Sequence, residues 1–302
     1  MKQTFSKLPM FAYRIAVLTI ACFFLSWLAA AAAGINKVHA YPESLFKTYG
    51  AVKFATGKVV AARKLSDKGV EELLIETSST DVRLEPGEAG FVELELQGNY
   101  PALQDPLAIE AEGGRIAVRT HEAGTNGHGF RLNINFDGAE GGLRMKVPPG
   151  VKRVVVKTLS GSMTFEGLNL ITLAVKSTTG DLDLNRSKVN TLAFKSTSGA
   201  LRLDSTEVKK LQAETVSGDL HLAFENNDPK MEASTVSGDI ELTLRDQAGL
   251  KGEFRTVSGD LDLDVAGATK EVRGNNTSFS VGDAKAAIFA KTTSGDLRVY
   301  QR

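Results

Sequence analysis

Cysteine is almost missing from this chain. Of 302 residues the only one is Cys22, inside an apolar N-terminal run. The remainder can therefore hold neither a disulfide framework nor a thiolate metal site. Tryptophan is equally scarce, since Trp27 lies in the same run, and the tyrosines after it are Tyr41, Tyr49, Tyr100 and Tyr300. Few rings are left on which a sugar could stack. Neither sign of charge is in excess, with 36 basic and 36 acidic residues. Lys2, Lys7, Arg14 and Lys37 fall in the first forty positions, which contain no acid, so the rest is mildly acidic. With no basic run, nucleic-acid binding has no support. His121 and His128 flank the loop Glu122–Gly127 with no third ligand beside them, and His221 stands alone; they read as loop and surface residues. No Ser-His-Asp order, nucleotide-binding glycine motif or zinc spacing occurs. The sequence thus names no catalytic residue, cofactor or metal ligand.

What the chain does have is a repeat. Thr215–Leu222 reads T-V-S-G-D-L-H-L, Thr235–Leu242 reads T-V-S-G-D-I-E-L, and Thr256–Leu263 reads T-V-S-G-D-L-D-L. Further copies are Ser177–Leu184, Ser196–Leu203 and Thr292–Val299, with a looser one at Thr158–Phe165. Gly161, Gly180, Gly199, Gly218, Gly238 and Gly259 follow one another at intervals of 19, 19, 19, 20 and 21. Gly295 comes 36 residues later, and a degenerate copy, Gly274–Val281, fills that gap. A period near 20 means a repeat architecture.

Within each unit the second and fourth residues after the glycine are apolar, as in Leu182 and Leu184 or Ile240 and Leu242. The residue between them is polar, the alternation of a half-buried strand. A second alternation precedes the glycine, for example Val154 and Val156 or Leu192 and Phe194, with Lys157, Lys176, Lys195 and Arg255 among its outward residues. Three before the glycine stands Ser or Thr each time. The seven glycines Gly161, Gly180, Gly199, Gly218, Gly238, Gly259 and Gly295 are read as structural corner turns, where glycine can take positive φ at no steric cost. The aspartates after them (Asp181, Asp219, Asp239, Asp260, Asp296) lack the G-G-x-G-x-D spacing of calcium-binding repeats. They read as acceptors for backbone donors at the corner.

Strand–turn–strand units at this period fit either a meander of hairpins or a β-solenoid. The solenoid is favoured because one column keeps one residue type from unit to unit, as stacked equivalent positions demand. The fold class is therefore an all-β repeat solenoid of about 19–21 residues per coil. Extra residues in the longer units fall near Asn226–Lys230 and Asp246–Lys251, away from the corner. The outward column Thr164, Asp183, Arg202, His221, Glu241, Asp262, Ser280, Arg298 mixes signs without order and reads as a solvated face.

Before the repeats come Met1–Arg14, then the uncharged run Ile15–Ala33 and the small-residue site Val38-His39-Ala40. Residues 1–40 are either a cleaved signal peptide or a membrane anchor, and the basic residues in front of the run direct the downstream chain outward. Residues 41–69 are expected to be a tether, 70–150 irregular β coils or a cap, and 151–302 the regular solenoid. The final unit, Thr292–Val299, is followed by only three residues. Its strands are expected to leave unpaired backbone groups at which a second copy or a partner could dock.

A strand pair near Thr77–Leu84, then variable strands, then V-P-P-G-V at Val147–Val151, then serial S-G-D-[LI]-x-[LV] units: this order resembles the bacterial "putative adhesin" repeat family. The resemblance covers about Val70 to Arg302. It implies a β-solenoid on exported or membrane-anchored proteins, with no established reaction and no catalytic residues to carry over. The expectation is a non-enzymatic, envelope-exposed binding or spacer module in the periplasm or cell envelope, with a protein or glycan partner and no nucleic acid. Alternatives are a polymerising envelope scaffold and a polysaccharide-active β-helix enzyme.

Overall fold

The computed structural model describes residues 59–98, 106–120, 142–226, 228–245, 249–282 and 285–301. The apolar N-terminal run and the loop between His121 and His128 lie outside them. Among the described residues no helix is long and apolar enough to cross a membrane.

The strands in chain order begin with β1 (Val59–Ser66), β2 (Glu72–Glu76), β3 (Asp81–Pro86), β4 (Phe91–Gln97), β5 (Leu107–Glu112), β6 (Arg115–Thr120) and β7 (Gly142–Val147). After the Pro148-Pro149-Gly150 turn follow β8 (Arg153–Lys157), β9 (Met163–Glu166), β10 (Asn169–Lys176), β11 (Leu182–Asn185), β12 (Lys188–Lys195) and β13 (Leu201–Glu214). Then come β14 (Leu220–Phe224), β15 (Lys230–Ser234), β16 (Ile240–Leu244), β17 (Leu250–Arg255) and β18 (Leu261–Asp264). The last are β19 (Thr269–Arg273), β20 (Asn276–Val281), β21 (Ala286–Lys291) and β22 (Leu297–Gln301).

They form a two-sheet β-solenoid. Each S-G-D corner carries the chain from sheet B to sheet A, and a second corner returns it. Sheet A runs β1-β4-β7-β3-β9-β11-β13-β14-β16-β22-β18. Sheet B runs β5-β6-β2-β8-β10-β12-β13-β15-β21-β17-β20-β19. Coil stacks on coil in parallel register. β13 belongs to both sheets because it passes the second corner without a break.

The alternation seen in sequence decides which side chains turn inward. In sheet A, Met163, Leu182, Leu201, Leu220, Ile240, Leu297 and Leu261 form one buried column. Val156, Val175, Phe194, Ala213, Ala233, Ala290 and Phe254 form another in sheet B. Burying a leucine of this kind stabilises the fold by about 1.5–3 kcal/mol, the main reason the coils stay stacked.

The second corner uses left-handed backbone. Gly167, Arg186 and Ser205 have φ of 66°, 48° and 49° and lie one coil apart. Where a longer unit departs from this pattern, an amide side chain stands in for backbone. Asn226 Nδ2 donates to Val208 O at 3.0 Å and its Oδ1 accepts from Val208 N at 3.0 Å.

The coils do not stack in chain order, against the expectation of serial units. The coil β2–β3 lies between β6–β7 and β8–β9. At the other end the coil β21–β22 lies between β15–β16 and β17–β18. At the first end the earliest coil is flanked on both sides by later chain, whereas at the other the chain overshoots and comes back to fill the gap. Three further expectations change with it. Val59–Ser66, assigned to a tether, is a strand paired with β4. The degenerate copy Gly274–Val281 is no coil, because Gly274 at φ 61° turns the chain and β19 and β20 pair antiparallel. The final unit has no open edge either: Val299 pairs with Leu242 on one side and Leu263 on the other. Self-association there would have no free strand to use.

Candidate functional site

The repeated polar residues are the first candidates, and their geometry shows where their hydrogen bonds go. Asp81 Oδ1 accepts from the Ser162 N–H at 2.7 Å, Asp181 Oδ1 from Ala200 at 2.8 Å, and Asp219 Oδ1 from Asp239 at 2.9 Å. The series continues from Asp239 to the Asp296 N–H and from Asp296 to the Asp260 N–H, both at 2.9 Å. These five corner carboxylates are each a clasp on the next coil's backbone, and Asp260 ends the series. The backbone at the corner serines pairs too, through β-bridges such as Ser198–Ser217 and Ser237–Ser294. Inside the corner, Ser177 Oγ donates to Thr179 O at 2.9 Å and Thr158 Oγ1 to Ser160 O at 2.6 Å.

All seven glycines, Gly161, Gly180, Gly199, Gly218, Gly238, Gly259 and Gly295, stand at these corners, but positive φ is not the common reason. Only Gly161, Gly180 and Gly295 have it. A Cβ at Gly180, Gly199, Gly218, Gly238, Gly295 or Gly259 would instead collide with the carbonyl oxygen of the glycine stacked beside it. At Gly161 it would come within 2.7 Å of Thr80 O. The Ser/Thr three residues earlier closes the space further, with Ser196 Oγ at 2.9 Å from such a Cβ on Gly199 and Thr256 Oγ1 at 3.1 Å from one on Gly259. Glycine is required by close approach.

That leaves the outer faces of the two sheets. On sheet A acids and bases are interleaved once the coils are taken in spatial order, with Arg202 and His221 side by side: Asp183, Arg202, His221, Glu241, Arg298, Asp262. His221 Nδ1 is 3.2 Å from Glu241 Oε2, and Arg298 reaches Asp239 and Asp296 at 3.2 Å each. The apparent disorder of this column in sequence came from placing Arg298 last and Ser280 within it; Ser280 belongs to the sheet B hairpin.

The outer face of sheet B carries a broad trough at each end. The one over β2, β6 and β8, of about 960 Å³, is rich in charge, but much of it is paired within itself. Glu72 lies 2.7 Å from Arg115 and 3.5 Å from Arg153. Glu76 lies 2.7 Å from Arg119 and 2.9 Å from Lys157. Hydrogen bonds from Arg119 and then Lys157 hold the Glu76 carboxyl below its ordinary range, against the opposing effect of partial burial.

The other trough, of about 870 Å³, spans β13, β15, β21 and β17 and is walled by the β19–β20 hairpin. Lys210, Lys230 and Lys251 stand in one column of it, aligned by strand register with Ala287 between the last two. All three are exposed and have no hydrogen-bond or ion-pair partner among the described residues. The acids nearby are engaged. Glu253 accepts from Arg255 at 2.7 and 2.8 Å and from Asn276 at 2.6 Å, and Gln212 lies 3.5 Å from Glu232. Phe289 is half-buried beside them, with the Arg255 guanidinium 5.2 Å from its ring centre. Among the described residues no cluster of side chains suits a metal ion. Sequence reasoning missed this trough, since its lysines are some twenty positions apart and look like any outward column.

The family model for Toastrack DUF4097 matches residues 70–211 and again 150–300. No curated protein matches the chain. Among solved structures the chain is similar to a "putative adhesin" from Bacteroides fragilis, at 13% identity over 79% of this chain and 96% of that one, TM-score 0.47. It is similar also to a "putative cell adhesion protein" from Clostridium sporogenes (13% identity, 80% and 98% covered, TM-score 0.37). A third is a "putative lipid binding protein" from Parabacteroides distasonis (12% identity, 79% and 96% covered, TM-score 0.43).

Proposed function

The chain belongs to the Toastrack DUF4097 family, and from that premise we propose that it is a non-enzymatic binding module held in the cell envelope. The observation that carries this reading is the use made of the repeated polar groups. Corner aspartates are spent on a neighbouring coil's N–H groups, and hydroxyls such as those of Ser177 and Thr158 on carbonyls of their own corner. The features that would attract a catalytic reading are thus structural, and what remains for function is the pair of broad outer faces. Lys2, Lys7 and Arg14 ahead of the uncharged run Ile15–Ala33 favour an N-terminus kept inside and a solenoid exported beyond the cytoplasmic membrane.

The test uses full-length protein in its own cells, with a photo-crosslinking residue at the position of Lys176 on sheet B or of His221 on sheet A. A cross-link to an envelope component from one of these faces is expected, with no release of reducing ends when the purified chain meets polysaccharide. No cross-link from either face, or catalytic release of sugar ends, would overturn the reading.

A further inference from the structure

We infer that the trough over β13, β15, β21 and β17 binds an acidic polysaccharide, its carboxylates or sulfates held by Lys210, Lys230 and Lys251. This deepens the binding-module reading and rests on it.

The first support is charge left unspent. At the β2–β6–β8 end of the same face Glu72 and Glu76 each lie between two cations, whereas none of these three lysines is paired with an acid among the described residues, although Glu232, Glu253 and Glu271 also line the trough. Glu253 and Glu271 are each paired with an arginine, so the lysines left over give the trough a positive balance despite the chain's overall neutrality. The second support is direction. Lys210, Lys230 and Lys251 occupy one register column across four adjacent strands, a line of roughly 14 Å along the stack at the usual strand spacing. Its steps are one strand spacing from Lys210 to Lys230 and two from Lys230 to Lys251 across Ala287, so a linear chain bearing regularly spaced anions can meet all three ammonium groups while passing one uncharged position.

The third support is the lining. Thr269, Ser278, Ser280 and Gln212 present hydroxyl and amide groups, and Glu232 adds a carboxylate. Sugar hydroxyls can exchange hydrogen bonds with all of them. Phe289 supplies a modest apolar floor. An anionic bilayer is disfavoured by the same lining: the lysines sit inside a hollow walled by a hairpin, and on that hairpin Val272 is the one exposed large apolar side chain among the described residues.

The experiment uses the full-length chain in detergent micelles and measures binding to three probes: polygalacturonate, neutral dextran, and phosphatidylglycerol vesicles. Polygalacturonate should bind, more weakly as salt rises, while dextran and vesicles do not. Lys210→Gln, Lys230→Gln and Lys251→Gln together should weaken it roughly 30-fold, on the basis of three charge-assisted contacts. The same lysines changed to arginine should retain it. A control with an equal change in charge, Lys68→Gln, Lys176→Gln and Lys291→Gln, should stay within roughly threefold. Equal losses in both triple variants would overturn the site, reducing it to general electrostatics. Binding of dextran as tight as polygalacturonate, or lysine-dependent binding to vesicles alone, would overturn the ligand class. Should polygalacturonate fail while the cross-link from position 176 still forms, the acidic-glycan assignment falls and the binding module stands. Loss of cross-links from both faces removes the binding module itself.

Discussion

A methyl group added at Gly238 would point into the carbonyl oxygen of Gly218, and each backbone is tied to an adjoining coil, the Gly218 N–H donating to Ser237 O and the Gly238 N–H to Ser294 O, both at 3.3 Å. Gly238→Ala is therefore expected to destabilise the fold by about 3 kcal/mol, the upper range for overpacking, read as a lower midpoint in urea. The second corner makes the opposite prediction. Ser205 holds φ at 49°, a conformation that costs a non-glycine residue more than glycine loses in chain entropy. Ser205→Gly should raise stability by about 0.5 kcal/mol. A glycine substitution that helps at one corner and an alanine that harms at the other would separate backbone strain from steric approach. Acid should act through carboxylates such as Glu76, whose pKa is lowered by Arg119 and Lys157 from its ordinary value of 4.5. Because the folded-state pKa is the lower one, this contribution is complete above pH 4.5 and is lost as pH falls through the lowered value. The Glu76→Gln variant should lose less stability than the wild type between about pH 5 and the acid transition, measured by denaturation at each pH.

At the scale of elements, the strands and their inward columns were legible because period 2 and period 19 act together. Leu182, Leu201 and Leu220 could be assigned to one stack from their spacing alone. The coil order was not legible. Thr235–Asp239 and Thr256–Asp260 are identical, Thr292–Asp296 differs from them at one position, and any of these corners can stack on any other. What separates the alternative orders is charge. Arg298 belongs between Glu241 and Asp262, and Glu76 between Arg119 and Lys157. A sequence scatters those partners over many positions, so only pairing reveals the alternation. Arg298→Glu should thus lower the urea midpoint more than Arg202→Glu, since it places an acid among Asp239, Glu241, Asp262 and Asp296. Removing residues 286–302 should do far more, because it withdraws a coil from between two others and exposes the facing edges of both. That chain is expected to lose its cooperative unfolding transition and to aggregate, observed by circular dichroism and light scattering.

For the whole molecule, balanced composition concealed unbalanced faces. Thirty-six charges of each sign gave no hint that sheet B keeps a column of unpartnered lysines, because composition cannot report which acids are already engaged. The out-of-order coils bear on something larger than stability. At both ends of the solenoid the coils interleave out of chain order, so a unit gained or lost there would disturb that interleaving. The central coils, by contrast, repeat at 19 residues and touch only their neighbours. Descent with change of length is therefore confined to the interior, where a duplication or loss of 19 residues joins like to like. Excising residues 182–200 should yield a protein that still unfolds cooperatively and is shorter by about 4.8 Å, one strand spacing. Small-angle scattering beside a denaturation curve would measure both. A lineage of such proteins would then differ in reach while sharing the same two ends, much as a telescope is adjusted between a fixed eyepiece and a fixed objective.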